Sequence, residues 1–205
     1  MNIILIGFKG CGKTLIGKML AAKLKREFYD TDSTIESIYT EETKSYLSFR
    51  EIYKKHGSEY FRNLEKKALE RVGGFENSVI SLGGGTLFSD LSAVPACATA
   101  DRPAQADKDV DRKFKGHVVI YLHVEPDMLY ERIVKNSIPA FFDSSNPRQS
   151  FDKLYAERLP LYKRLADVVI DNSKDAEGTI NGILQELKNK NLINHREHRG
   201  TKKET

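Results

Sequence analysis

The chain has 205 residues with 40% hydrophobic and 30% charged side chains and a mean hydropathy of -0.49, which allows one sizeable core and excludes a membrane protein, a collagen or a coiled coil. Its formal net charge is +4, and residues 188–205 alone hold six Lys/Arg against two acids. The other 187 residues balance at 27 charges of each sign, so the basic pI of 8.9 gives no reason to expect a nucleic-acid or membrane partner for the folded body.

Along the chain, Ile3-Ile4-Leu5-Ile6 reads as a strand buried on both faces, followed by a helix to about Lys25 that carries Leu15, Ile16, Met19, Leu20 and Leu24. Between them Gly7-Phe8-Lys9-Gly10-Cys11-Gly12-Lys13-Thr14 satisfies G-x-x-x-x-G-K-[ST]. Glycines there let backbone N–H groups approach phosphate oxygens, and the helix N-terminus adds partial positive charge. Lys13 would bridge the outer phosphates, the Thr14 hydroxyl would ligate magnesium, and Gly10, Cys11, Gly12 and Leu15 complete an expected ATP cradle. Cys11 is read as a small residue that fits.

A second strand ends at Phe28-Tyr29, and Asp30-Thr31-Asp32 follows. Strand alternation would put both carboxylates on one side, one to hold magnesium through water and one to accept a proton from an attacking hydroxyl. A helix over residues 58–72 puts Arg62 and Glu65 on one face, so that Glu65 can orient the guanidinium toward a substrate carboxylate. The third strand, Val79-Ile80-Ser81-Leu82, runs into Gly83-Gly84-Gly85-Thr86, at the sheet edge where ligands of open α/β folds bind.

Residues 91–116, Ala-rich with Pro95 and Pro103, read as a surface insertion; Val118–Leu122 and Val168–Ile170 read as further strands, with a helix over 127–135 between them. Ile180, Ile183, Leu184 and Leu187 form the apolar stripe of a last helix ending near residue 190, and residues 191–205 read as a polar tail. The expected fold is a three-layer α/β/α domain around a parallel sheet of about five strands. The two cysteines, Cys11 and Cys97, are too few for a disulfide framework, and the first residues lack a basic leader segment; both fit a cytoplasmic protein.

Taken in order, G-F-K-G-C-G-K-T, D-T-D, F-R-N-L-E, S-L-G-G-G-T and Arg158-Leu159-Pro160-Leu161-Tyr162 resemble the shikimate kinase family of P-loop kinases over nearly the whole chain to about residue 187. The resemblance implies ATP-dependent phosphorylation of the shikimate 3-hydroxyl within chorismate and aromatic amino-acid biosynthesis, with Mg2+ as cofactor, ATP and shikimate as the only partners, and a monomer. It implies that Asp32 binds shikimate and acts as base, that Asp30 supports magnesium, that Arg62 and Arg158 hold the ring carboxylate, and that the Gly83–Gly85 turn contributes a backbone N–H, from Gly84, to a hydroxyl. It also implies a substrate-binding helical region and a mobile lid over about residues 135–151.

The chain departs from the family pattern in that lid. The usual Arg-Pro-Leu-Leu corresponds to Ile138-Pro139-Ala140-Phe141, so isoleucine replaces an arginine that reaches the ATP phosphates. Arg148 or Lys135 is expected to compensate, Arg148 being the sole arginine in that segment, and Arg132 is expected to stack on adenine. The alternatives are another small-metabolite kinase of this fold, such as gluconate kinase or a nucleotide kinase, a nucleic-acid-binding ATPase, and an inactive kinase prompted by Ile138.

Overall fold

The computed structural model describes residues 1–89, 114–135, 138–139 and 141–193. Most of the surface insertion expected over 91–116, and the tail from residue 194, lie outside them.

Five parallel strands, β1 (Ile3–Ile6), β2 (Glu27–Asp30), β3 (Ser78–Ser81), β4 (Val118–His123) and β5 (Val168–Asp171), form one sheet in the order β2-β3-β1-β4-β5. Around them lie α1 (Lys13–Leu24), α2 (Thr31–Thr43), α3 (Phe49–Gly73), the single turn α4 (Thr86–Ser89), α5 (Pro126–Val134), α6 (Pro147–Leu165) and α7 (Ala176–Asn189). The sequence patterns explain this arrangement. Every residue of β1 and β3 is buried, which is why these segments read as unbroken apolar or small runs, whereas the edge strand β5 alternates, leaving Val169 53% exposed. Register pairs Ile3 with Val79 on one side and Val118 on the other, so β1 is central. The chain passes to opposite sides of β1 on reaching β3 and β4, which makes the carboxyl ends of these strands the natural crevice.

Two apolar clusters divide the interior. The larger surrounds the sheet; a smaller one, made of Ile35, Ile38, Tyr39, Ile52, Phe61, Leu64 and Ala68, lies between α2 and α3. Helix α3 begins nine residues before the expected start at 58, with Ser48 and Glu51 forming a reciprocal capping box, and it breaks at Gly57 (φ 81°, ψ -178°). The periodic segment seen in the sequence is the half beyond that kink.

Three further expectations are corrected. Alternation does not align Asp30 with Asp32: Asp30 is the last residue of β2 and caps α2, its Oδ1 accepting from the Asp32 N–H at 3.0 Å, so Asp32 belongs to a helical turn. The segment expected as a lid over 135–151 is helical from Pro147 onward. The folded chain also runs past residue 190, since Leu192 and Ile193 pack on the main core and the Leu192 N–H closes a bond to Leu187 O at 2.9 Å. Among the described residues, no helix is long and apolar enough to cross a membrane.

Candidate active site

All the singled-out motifs meet at the carboxyl edge of the sheet. The loop after β1 turns into α1 at Gly12, whose φ of 94° is open to glycine and costly for other residues. A Cβ there would also come within 2.6 Å of Asn172 Nδ2. Asn172, at the end of β5, braces the loop: its Nδ2 donates to Cys11 O at 2.7 Å while its Oδ1 accepts from the Thr179 hydroxyl at 2.7 Å. Arg132 of α5 donates to Asn172 O at 3.1 Å, so it borders the same end of the cradle. Leu15 turns its side chain to solvent at 58% exposure and offers the cradle its backbone alone.

Lys13 is buried, and its ammonium donates to Gly7 O at 2.8 Å and Phe8 O at 3.0 Å, folded back across its own loop. The Thr14 hydroxyl donates to Asp30 Oδ2 at 2.8 Å. Two hard oxygen groups thus adjoin at the phosphate end of the loop, a donor set suited to a magnesium ion that takes its remaining ligands from phosphates and water. Cys11 is buried against the loop, as a small residue should be.

On the acceptor side, Arg62 Nη1 lies 2.6 Å from Glu65 Oε2, as the helical spacing predicts. Glu65 is buried and its other oxygen accepts from the Thr86 hydroxyl at 3.3 Å, so this is a positioning contact and not a surface ion pair. Arg158 of α6 donates to Gly84 O at 2.8 Å, Tyr162 donates to the same carbonyl at 3.0 Å, and the Arg158 guanidinium lies 5.4 Å from the Phe8 ring centroid. Burial pushes the Arg158 guanidinium below its usual range; Tyr162 opposes the shift, and the nearby positive charge of Arg62 adds to it. The two guanidinium groups repel one another, a charge arrangement that an anion between them would relieve.

The glycine triplet fits against protein as well as against any ligand. A Cβ at Gly84 would lie 2.9 Å from Lys9 N, so the phosphate loop packs directly on this turn, and one at Gly83 would lie 2.6 Å from Asp32 Oδ1. The Gly83 N–H donates to the Thr31 hydroxyl at 2.7 Å, and Gly85 faces the Arg62–Glu65 pair.

Asp32 stands between the two halves. Burial first, and then the charge of Asp30, raise its carboxyl to about 6, with Lys13 pulling the other way and Glu65 adding to the rise. At neutral pH it is ionised and close enough to its pKa to accept a proton.

Arg148 lies in the first turn of α6 and is engaged by two carboxylates. Its Nε reaches both Asp152 oxygens at 2.9 and 3.0 Å, its Nη2 reaches Asp127 Oδ1 at 2.6 Å, and the group stacks over Tyr130. Lys135 ends α5, and Ile138 is 50% exposed. Sequence reasoning missed Asn172, Thr31 and Tyr162, whose signal was their place at strand ends or on the α6 face of Arg158. It also missed Lys9 and Arg50, whose charges fall within reach of Asp32 or of one another.

The chain matches the family model described as shikimate kinase over residues 9–188. It is 33% identical, over 91% of its own length and 93% of the relative's, to the shikimate kinase of Caldanaerobacter subterraneus subsp. tengcongensis. Its structure resembles that of Acinetobacter baumannii shikimate kinase in complex with shikimate, with a TM-score of 0.74, 25% identity, and coverage of 94% of this chain and 95% of the other. A gluconokinase from Sinorhizobium meliloti, at 16% identity, TM-score 0.53 and coverage of 93% and 94%, shares the fold alone.

Proposed function

The chain belongs to the shikimate kinase family, and from that premise we propose how its residues transfer the γ-phosphoryl group of ATP to the 3-hydroxyl of shikimate, giving shikimate 3-phosphate and ADP. The observation that carries this reading is the position of Asp32. It lies within the field of Lys13 and Asp30 on the phosphate side and of Glu65, the partner of Arg62, on the other.

In this reading Lys13 leaves its loop carbonyls to hold the outer phosphates, and the turn from Gly10 to Leu15 gives its N–H groups to them. Arg62, held by Glu65, and Arg158 take the shikimate carboxylate, and the Gly84 N–H takes a hydroxyl. Asp32 then orients the 3-hydroxyl and receives its proton as the O–P bond forms. Thr14 and Asp30 would hold Mg2+, whose charge would offset that of the phosphates. Arg132 borders the adenine, and the segment beginning near Lys135 closes over the site to exclude water, with buried Phe142 as its anchor and Phe141 exposed above the loop. The enzyme is taken as a cytoplasmic monomer acting on two small molecules.

The test is ADP release by the purified protein with shikimate, gluconate or a nucleoside monophosphate as acceptor. Turnover with shikimate is expected; activity with gluconate alone would replace this reading.

A further inference from the structure

Lys135 aside, each cation assigned so far rests on a protein oxygen. Lys13 is on loop carbonyls, Arg62 on Glu65, Arg158 on Gly84, Arg132 on Asn172, and Arg148 on Asp127 and Asp152. Lys9 differs. It is half-buried in the phosphate loop with its backbone packed on Gly84, and among the described residues its ammonium makes no hydrogen bond or ion pair. Its one contact of note is the ring of Phe141, 5.4 Å from Nζ to centroid. Phe141 belongs to the segment in which Ile138 stands in place of an arginine.

Its surroundings define what it lacks. Burial, then the charges of Arg50 and Lys13, hold the Lys9 ammonium below the usual lysine range, while Asp32 acts in the opposite sense. A partly desolvated ammonium beside two other cations has need of an anion. It occupies the phosphate loop, within the field of both the lysine that binds the outer phosphates and the carboxylate that receives the proton, which is the space the transferring group must cross.

We propose that Lys9 is a catalytic residue that meets the transferring phosphoryl group, supplying from the loop the positive charge that Ile138 cannot supply from the lid. The inference rests on the shikimate kinase reading above. It also accounts for Phe141: the ring face lies against the ammonium, holding it toward the site without the neutralising carboxylates that engage Arg148.

The experiment compares Lys9→Met, Lys9→Arg and the double variant Lys9→Met/Ile138→Arg with the unaltered enzyme, thermal melts reporting on folding. Lys9→Met should lower kcat about 100-fold, in the range seen on removing one preorganised charge or donor from a transition state, and shift the shikimate KM less than about twofold. By titration calorimetry its affinity for shikimate 3-phosphate should fall about tenfold, and that for shikimate should not change. Lys9→Arg should keep kcat within about tenfold, and the added arginine at position 138 should restore at least about tenfold of what Lys9→Met loses. A Lys9→Met enzyme with unaltered kcat and product affinity overturns the inference, as does one whose defect lies wholly in shikimate KM, which would put Lys9 on the carboxylate. Either result in an enzyme active on shikimate leaves the underlying reading intact; an unaltered enzyme inert to shikimate brings down both.

Discussion

At the scale of single residues, Asp32 concentrates the tension between stability and activity. Its carboxyl titrates near 6 when folded against about 4 in an unfolded chain, so the folded state binds its proton more tightly. The stability this contributes is complete below pH 4 and is lost as pH rises through 6, leaving a buried charge at neutrality. The proposed mechanism needs that charge, so kcat/KM should fall on the acid side with an apparent pKa near 6. Asp32→Asn should abolish turnover, by about 1,000-fold or more, and raise Tm by about 3 °C at pH 7 while removing the acid limb of any residual rate. A lower Tm would mean that the carboxylate stabilises the fold. The phosphate-loop residues were legible because cradling phosphate demands glycine, lysine and a hydroxyl at set spacing. Lys9 was not, since it occupies a position of the motif that accepts any side chain; only its neighbours in space give it meaning. The Asp30–Asp32 pair was visible in composition and misjudged in geometry, because a strand-end aspartate that caps the next helix turns the chain before alternation can continue.

At the scale of elements, the buried strands announced themselves through uninterrupted apolar runs, and α5, α7 and the second half of α3 through their periodicity. The first half of α3 was overlooked although Ser48 and Glu51 have the spacing of a capping box, because Gly57 interrupts the pattern where the helix bends. The turn after β3 was recognised as glycine-rich at a ligand-binding edge, while one reason for it, the close approach of the phosphate loop, needed the third dimension. That approach predicts the effect of a single methyl group. Gly84→Ala would place carbon 2.9 Å from a backbone nitrogen, which cannot rotate away as a side chain can, so the loop must shift. The ATP KM should rise about tenfold and stability should drop by about 1–3 kcal/mol in urea melts. An unchanged KM would show that the loop has slack to spare.

Across the whole molecule, the hydrophobic interior is split between the sheet and the α2–α3 pair, and the functional groups divide along the same line. Lys13 and Thr14 belong to an element of the first and Arg62 and Glu65 to one of the second, while Asp32 lies in the first turn of α2, whose buried apolar residues also belong to the second. Local opening should follow these units. In amide hydrogen exchange, shikimate alone should slow exchange chiefly over residues 31–73, and ADP chiefly over residues 7–16. Uniform protection by either ligand would show one cooperative body. The division was not readable from the chain, in which both sets draw on Ile, Leu, Phe, Tyr and Ala. The overall neutrality outside residues 188–205 was, and it directed attention away from net charge to a few placed cations.

The carbonyl of Gly84 receives Arg158 and Tyr162 from one side while the α-carbon beside it supports the phosphate loop from the other. An acceptor carboxylate that draws Arg158 away changes what this peptide is bonded to, and with it the wall of the nucleotide cradle. On the proposed reading the two substrates are therefore expected to bind as coupled and not as independent guests. Whatever factor a bound acceptor imposes on the dissociation constant of the nucleotide, the nucleotide must return to the acceptor in the same measure, because both routes around the thermodynamic cycle end in the same ternary complex.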